Sequence, residues 1–225
     1  MKIASHTYTA DHTNSLHDHG VDVLSREIWL VPNSDYAVGV GDTLPSDPGV
    51  DYTMTTKFLK NLHLLMNSAA DPILIHMKTF GGDWDQGMAI YDAIKTCPCH
   101  ITIVNYTAAR SMSSLILCAA NRRVMMPHGK FMFHNGSMSY EGTAKQFLTE
   151  ARELVLMDAQ MMAVYVDRMK ATSRVWKYKS KEACETWLKS QMNLKEEVYL
   201  NAKDAIKHGF ADEIFDGNWD RLLTT

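Results

Sequence analysis

Residues 109–120 read Ala109-Arg110-Ser111-Met112-Ser113-Ser114-Leu115-Ile116-Leu117-Cys118-Ala119-Ala120. A serine opens a stretch of small and apolar residues, which predicts a helix from Ser111 to about Ala120. Downstream, the apolar run Lys130-Phe131-Met132-Phe133 ends in His134, followed by the turn signal Asn135-Gly136. Upstream, the strand-like run Ile73 to Met77 leads to Thr79-Phe80-Gly81-Gly82. A serine at a helix start, a histidine at a strand end and a glycine turn are the parts of a serine hydrolase. The histidine takes the hydroxyl proton, and backbone N–H groups hold the oxyanion.

Each part also has a plainer reading. A serine before a helix is usually an N-cap, a lone histidine at a strand end is usually structural, and Gly81-Gly82 can be a tight turn that needs glycine. Order and setting favour the chemical reading. A nucleophile at Ser111 would sit where a helix N-terminus stabilises negative charge, and the Met112 N–H would be a natural oxyanion donor. Ser113 and Ser114 are rivals to Ser111, but lie deeper in the helix. An extended substrate could pair beside Gly81-Gly82, with one glycine N–H facing the oxyanion. The motifs exclude two alternatives: there is no Gly-x-Ser-x-Gly elbow and no Gly-x-x-x-x-Gly-Lys-Ser/Thr phosphate loop. A third group should orient the imidazole. Glu197, in Glu196-Glu197-Val198-Tyr199-Leu200-Asn201-Ala202, is the candidate; Asp167, Asp204 and Asp212 are weaker ones.

The chain has 225 residues, 46% hydrophobic and 22% charged, with a formal net charge of −3, which sets aside a basic surface for nucleic acid. The four cysteines, Cys97, Cys99, Cys118 and Cys184, form neither a paired zinc pattern nor a disulfide framework. His6, His12, His17 and His19 crowd the first residues, and the reading there is a flexible, partly ordered arm over residues 1–22 rather than a metal site. No secretory or transit pattern and no membrane-length apolar run is seen, so the expectation is a cytoplasmic protein without metal or cofactor.

Repeated strand–helix alternation predicts an α/β fold. Strands are expected over 26–31, 73–77, 101–104, 124–126 and 131–133. Helices are expected from Thr55 or Thr56 to about Asn67, from Asp83 or Asp85 to about Lys95, over Thr143 to Lys170, within 171–195, and over Ala202 to Lys207. A loop is expected over 39–53, and a last strand or turn over Ala211 to Phe215. Met157, Met161, Met162 and Met169 cluster in the long helix, as core or as an adaptable contact surface.

Taken together, these segments resemble the Clp protease proteolytic subunit (ClpP) family, of the S14 peptidase kind. Gly81-Gly82 followed by Gly87-Met88-Ala89-Ile90-Tyr91-Asp92 is similar to the family's Ser-Pro-Gly-Gly and Gly-Met-Ala-Ile-Tyr-Asp. Ala109 to Ser114 is similar to Ala-Ala-Ser-Met-Gly-Ala, and Phe131 to His134 to the strand bearing the catalytic histidine. Ala151-Arg152-Glu153 matches the start of the helix that follows, and Ala202 to Asp212 matches Ala-x-Glu-Ala-x-x-x-Gly-x-x-Asp. The likeness spans roughly residues 24–216. The chain departs from the pattern at Thr79-Phe80, at Glu197 where the family has aspartate, at His134-Asn135-Gly136, in residues 39–53, and in extra length near Lys170 to Lys195. These departures suggest a divergent member of the phage-encoded kind.

The resemblance implies a crotonase-like superhelix of repeated βαβ units over 23–218, a protruding handle over about 143–195 and a C-terminal tail over 219–225. It implies catalysis by Ser111, His134 and Glu197, with Met112 and Gly82 as oxyanion donors and Gly81 as the alternative glycine. It also implies homo-oligomeric heptameric rings, single or stacked as a tetradecamer, that cut unfolded polypeptides supplied by a Clp-type AAA+ ATPase. Rival readings are a non-catalytic ring subunit, a phage head-maturation peptidase and a crotonase-fold acyl-CoA enzyme.

Overall fold

Ile73-Leu74-Ile75-His76-Met77 and Ile101-Thr102-Ile103-Val104-Asn105 form strands β3 and β4, buried at every position. Strands covered on both faces read as continuous apolar runs rather than alternating ones, and these two are the centre of the molecule. The computed structural model of the chain describes residues 7–31, 49–137 and 139–223. In chain order the elements are α1 (Ala10–Asn14), β1 (Val21–Asp22), β2 (Glu27–Leu30), α2 (Tyr52–Ser68), β3, α3 (Trp84–Thr96), β4, β5 (Ala108–Arg110) and α4 (Met112–Ala119). They continue as β6 (Arg122–Met125), β7 (Lys130–Phe133), α5 (Ala144–Thr172), α6 (Lys181–Lys195), β8 (Val198–Asn201), α7 (Ala202–His208) and β9 (Glu213–Ile214).

The strands form two sheets. The larger runs β1-β2-β3-β4-β6-β9, parallel except for the β1–β2 pair. The smaller runs β5-β7-β8, with β5 parallel and β8 antiparallel to β7. α2 turns Met54, Phe58, Leu62 and Leu65 onto the core, and α3 does so with Ile90 and Ile94. α4 is buried along its whole length, from Met112 to Ala119. It lies so close to α3 that a Cβ on Gly87 would fall 1.9 Å from Met112 Cγ, so only glycine leaves room for that side chain.

Several boundaries differ from the expectations. α2 begins at Tyr52 rather than near Thr55, because Asp51 caps it by accepting from the Met54 N–H at 2.8 Å. The polar 171–195 stretch holds a 15-residue helix, α6, anchored by Cys184, Leu188 and Met192. Of the arm over residues 1–22, residues 7–22 are described and pack against α2. Lys57 Nζ donates to the Asp18 carbonyl, Asn61 to the His19 carbonyl and Tyr8 to the buried Asp22 carboxylate. The loop expected over 39–53 falls mostly outside the described residues; Gly49 to Thr53 lie within them.

α5 is the long helix expected from Thr143, which caps it in a reciprocal box with Gln146. Its 29 residues correspond to about 43 Å. Only the second half is buried, through Met161, Met162, Tyr165, Val166 and Met169. The first half projects, with Phe147, Leu148, Val155 and Leu156 exposed.

The α5–α6 connection is tied to α7 by an aromatic stack. Trp176 donates its indole N–H to His208 Nδ1 at 2.8 Å, and the imidazole lies on Trp187 with ring centres 4.3 Å apart. An indole N–H only donates, so Nδ1 must be unprotonated. Burial, together with the positive charge of Lys207, pushes the His208 pKa below the usual 6.5, and Asp204 opposes this. The unfolded chain therefore binds this proton more readily than the folded one. The stability involved is fully present above the unfolded pKa and is lost as pH falls through the folded one. Thermal unfolding from about pH 7.5 down to about pH 5 should show a falling midpoint. His208→Asn, which keeps an acceptor but does not titrate, should flatten that slope; identical slopes in the two proteins would refute the assignment.

Candidate active site

β5 and β7 run side by side with Ala108 opposite Lys130 and Arg110 opposite Met132. Ser111 follows β5 directly and His134 follows β7, so parallel pairing delivers both to the same end of the small sheet. His134 Nε2 and Ser111 Oγ are 2.9 Å apart. Both residues are half-buried, as groups facing a cleft are. No other hydrogen bond is made by the imidazole among the described residues, so Nδ1 is open to a further partner.

Ser111 stands at the N-cap position of α4 without capping it through its hydroxyl, and its backbone has φ 50° and ψ −126°. That conformation belongs to glycine at the first centre of a type II′ turn. In a serine it stores about 1–3 kcal/mol and persists only where the surroundings over-determine it. Here the Ser111 N–H donates to the Met132 carbonyl at 3.0 Å, and the Ser111 carbonyl accepts from the Ser114 N–H at 2.9 Å. Ser113 and Ser114 are wholly buried in α4, which removes them as rival nucleophiles.

The glycine turn abuts the serine. Gly81 has φ 105°, and a Cβ there would lie 2.8 Å from Ser111 Cβ and 2.9 Å from the Arg110 carbonyl oxygen. On its other side the turn is paired in parallel with Val50: the Val50 N–H donates to the Gly81 carbonyl at 2.6 Å, and the Asp83 N–H to the Val50 carbonyl at 2.9 Å. The polar groups of Gly82 itself therefore point away from Val50. Gly82 and Met112 both line the cavity that holds Ser111 and His134, whereas Gly81 does not. The Met112 N–H is the first of α4 and has no intrahelical acceptor.

That cavity measures about 330 Å³. Its apolar wall is Trp84, Met112, Leu115, Leu154, Met157 and Met161, with Asp83 and Asp158 also among the lining residues. Asp83 caps α3 through the Gln86 N–H, and Asp158 accepts from the Gly136 N–H at 2.9 Å, tying the segment after His134 to α5. Sequence reasoning missed this wall. The signal was present: 154, 157, 158 and 161 share one helical face, on which Asp158 is the polar exception. Val50 carried no such signal.

Glu197 lies one residue before β8, whose Val198 is opposite Phe133. It therefore occupies the register position beside His134. Its carboxylate is exposed and accepts from the Tyr199 hydroxyl at 3.0 Å rather than from the imidazole. The weaker candidates lie elsewhere: Asp212 pairs with the buried Arg123, Asp204 accepts from Asn201, and Asp167 pairs with Lys181. Among the described residues, no three histidine, cysteine or carboxylate groups gather as a metal site, and no helix is long and apolar enough to cross a membrane.

The family model for Clp protease matches residues 46–218. The chain belongs to the Clp protease family. One relative is the ATP-dependent Clp protease proteolytic subunit 1 of Chlamydia muridarum, 30% identical over 173 residues, or 75% of this chain and 83% of that protein. Another is the proteolytic subunit 2 of Pseudomonas aeruginosa, 24% identical over 168 residues, covering 74% and 77% of the two chains. The structure of a ClpP1 mutant from Listeria monocytogenes superposes with a TM-score of 0.66 at 21% identity, over 93% of this chain and 98% of that one. The fold is thus the crotonase-like α/β fold of ClpP. Within it, this Clp protease family member holds a serine and a histidine in hydrogen-bond contact beside a cavity that Gly82 and Met112 also line.

Because Gly81 touches the serine, Gly81→Ala should displace the Ser111 turn. Labelling by a fluorophosphonate probe should slow at least about a hundredfold, the scale of losing one oxyanion contact, while far-ultraviolet circular dichroism stays unchanged. Wild-type labelling would show that the close approach is not needed.

Proposed function

We propose that this Clp-type serine protease cleaves unfolded polypeptides by acylation of Ser111. The observation that carries the reading is the 2.9 Å contact between Ser111 Oγ and His134 Nε2 at the wall of an apolar cavity. In the proposed sequence Ser111 attacks the peptide carbonyl and His134 accepts its proton. His134 then passes that proton to the leaving amine, and water repeats the steps to release the acid. Gly82 and Met112 N–H groups hold the oxyanion; Gly82 is favoured over Gly81 because it faces the cavity. The substrate strand lies along the edge of Gly82 turned away from Val50. Glu197 turns from Tyr199 toward Nδ1 and orients the imidazole, a role that its register position supports.

The relatives are named as proteolytic subunits of ATP-dependent Clp proteases. From the family likeness we propose for this chain a homo-oligomeric ring chamber, heptameric in one ring or two, fed by a Clp-type AAA+ ATPase in the cytoplasm. The projecting half of α5, with Phe147, Leu148, Val155 and Leu156 exposed, supports self-association, since apolar side chains grouped on one segment favour covered surfaces. Negative-stain imaging of the purified protein should show sevenfold rings; a monodisperse monomer would overturn the chamber.

Ser111→Ala should abolish fluorophosphonate labelling and peptide hydrolysis, and persistent labelling would remove Ser111 as nucleophile. His134→Ala should lower kcat by about 10²–10⁴, and Glu197→Ala by less, because no contact to the imidazole is in place beforehand.

The cavity predicts what precedes the scissile bond. A cavity of about 330 Å³ with an apolar wall accepts a large apolar side chain, and Asp83 and Asp158 disfavour acidic ones. In a fluorogenic peptide series, kcat/KM for leucine or phenylalanine at that position should exceed that for glutamate by more than about tenfold. A preference for glutamate would exclude this cavity as the specificity site.

A further inference from the structure

The carbonyl of Ser111 is held by more than its own turn. The Ser114 hydroxyl donates to it at 2.6 Å, and the Ser114 Oγ is in turn 2.6 Å from the Tyr165 hydroxyl. The direction of this chain is fixed by proton counting. The Ser111 carbonyl can only accept, so it takes the single Ser114 proton, and Tyr165 must donate to Ser114. Both side chains are wholly buried. Burial pushes the Tyr165 phenol far above its ordinary value, so it remains a donor at every working pH. By contrast, the neighbouring Ser113 hydroxyl is buried with no partner among the described residues.

The peptide between Ser111 and Met112 is planar and trans, so its C=O and N–H point in opposite directions. Whatever anchors the Ser111 oxygen therefore also aims the Met112 N–H, and that peptide is the one entered from the strained backbone of Ser111. The oxygen accepts two bonds, one from the Ser114 N–H and one from its hydroxyl. Tyr165 belongs to α5, the helix that also supplies Leu154, Met157 and Met161 to the cavity wall.

We propose that Tyr165 and Ser114 are positioning residues: a buried hydroxyl relay from α5 locks the Ser111–Met112 peptide with its N–H aimed at the oxyanion. The inference rests on the serine-acylation reading. It makes the packing of α5 on α4 a determinant of turnover, because a shift of Tyr165 frees the peptide plane that the transition state needs.

The test is a double-mutant cycle in the full-length, assembled protein, with Tyr165→Phe, Ser114→Ala and the double variant compared on a fluorogenic peptide. Each single variant should lower kcat about tenfold, short of the about 10²–10³ lost when an oxyanion donor is deleted outright. KM should hold. The double variant should lose no more than the worse single one, because both break one relay. Affinity for a peptide aldehyde, whose adduct carries the oxyanion, should fall by the same factor as kcat.

A purely structural role would lower the melting temperature without this split between kcat and KM. Wild-type kcat in both single variants, additive losses, or a loss confined to KM would overturn the proposal. If Tyr165→Phe does not fold, Ser114→Ala, which only trims a side chain within α4, decides alone. Labelling that survives Ser111→Ala would overturn the acylation reading and this one with it. Labelling abolished by Ser111→Ala, with full kcat in the relay variants, would overturn only the relay.

Discussion

The parallel pairing of β5 with β7 is the contact from which the site is built. Three residues of β5 face three of β7, and the ladder ends with the Ser111 N–H on the Met132 carbonyl. That last bond holds Ser111 against the strand that carries His134. Strand side chains alternate faces, so a slip of one residue would turn every side chain to the other side. The buried rings of Phe131 and Phe133, packed with Phe210 and Tyr165, make such a slip costly. Side chains on the far face of the strand thus set the register that brings hydroxyl and imidazole together.

Around that pairing, each element does a separate task. Val50 takes one edge of the glycine turn and leaves the other edge to the cavity. α4 supplies the first-turn N–H, and Gly87 lets it lie tightly on α3. α5 closes the cavity with one apolar face and reaches the Ser111 turn from Tyr165 through Ser114. β8 brings Glu197 to the register position beside His134, although its carboxylate is engaged by Tyr199. The strain at Ser111 is sustained because bonds from β7 and α4 converge on one residue, and it holds the hydroxyl out of the helix.

Much of this was legible in the chain. β3 and β4 were plain from their unbroken apolar runs, and α5 from apolar positions recurring at helical spacing behind the Thr143 cap. Ser111 and His134 were legible as a pair because one opens an apolar stretch and the other closes one. β5 was not: Ala108-Ala109-Arg110 is short and has no strand pattern, and it is a strand only because β7 lies beside it. β8 was hidden for a similar reason, its Val-Tyr-Leu-Asn following the charged pair Glu196-Glu197. The start of α2 was misplaced because Asp51 competes with Thr55 as a cap, and a cap is decided by which side chain reaches a free N–H.

Local chemistry written along the chain therefore determined the α/β class, the buried strands, the long helix and the identities of the serine, the histidine and the glycines. Only tertiary structure decided that these residues meet, which glycine faces the cavity, where Glu197 directs its carboxylate, and that Tyr165 reaches the Ser111 carbonyl through Ser114. The reason is physical. Periodicity and capping act over a few residues, whereas a hydrogen bond between positions 114 and 165 exists only once α4 and α5 have packed.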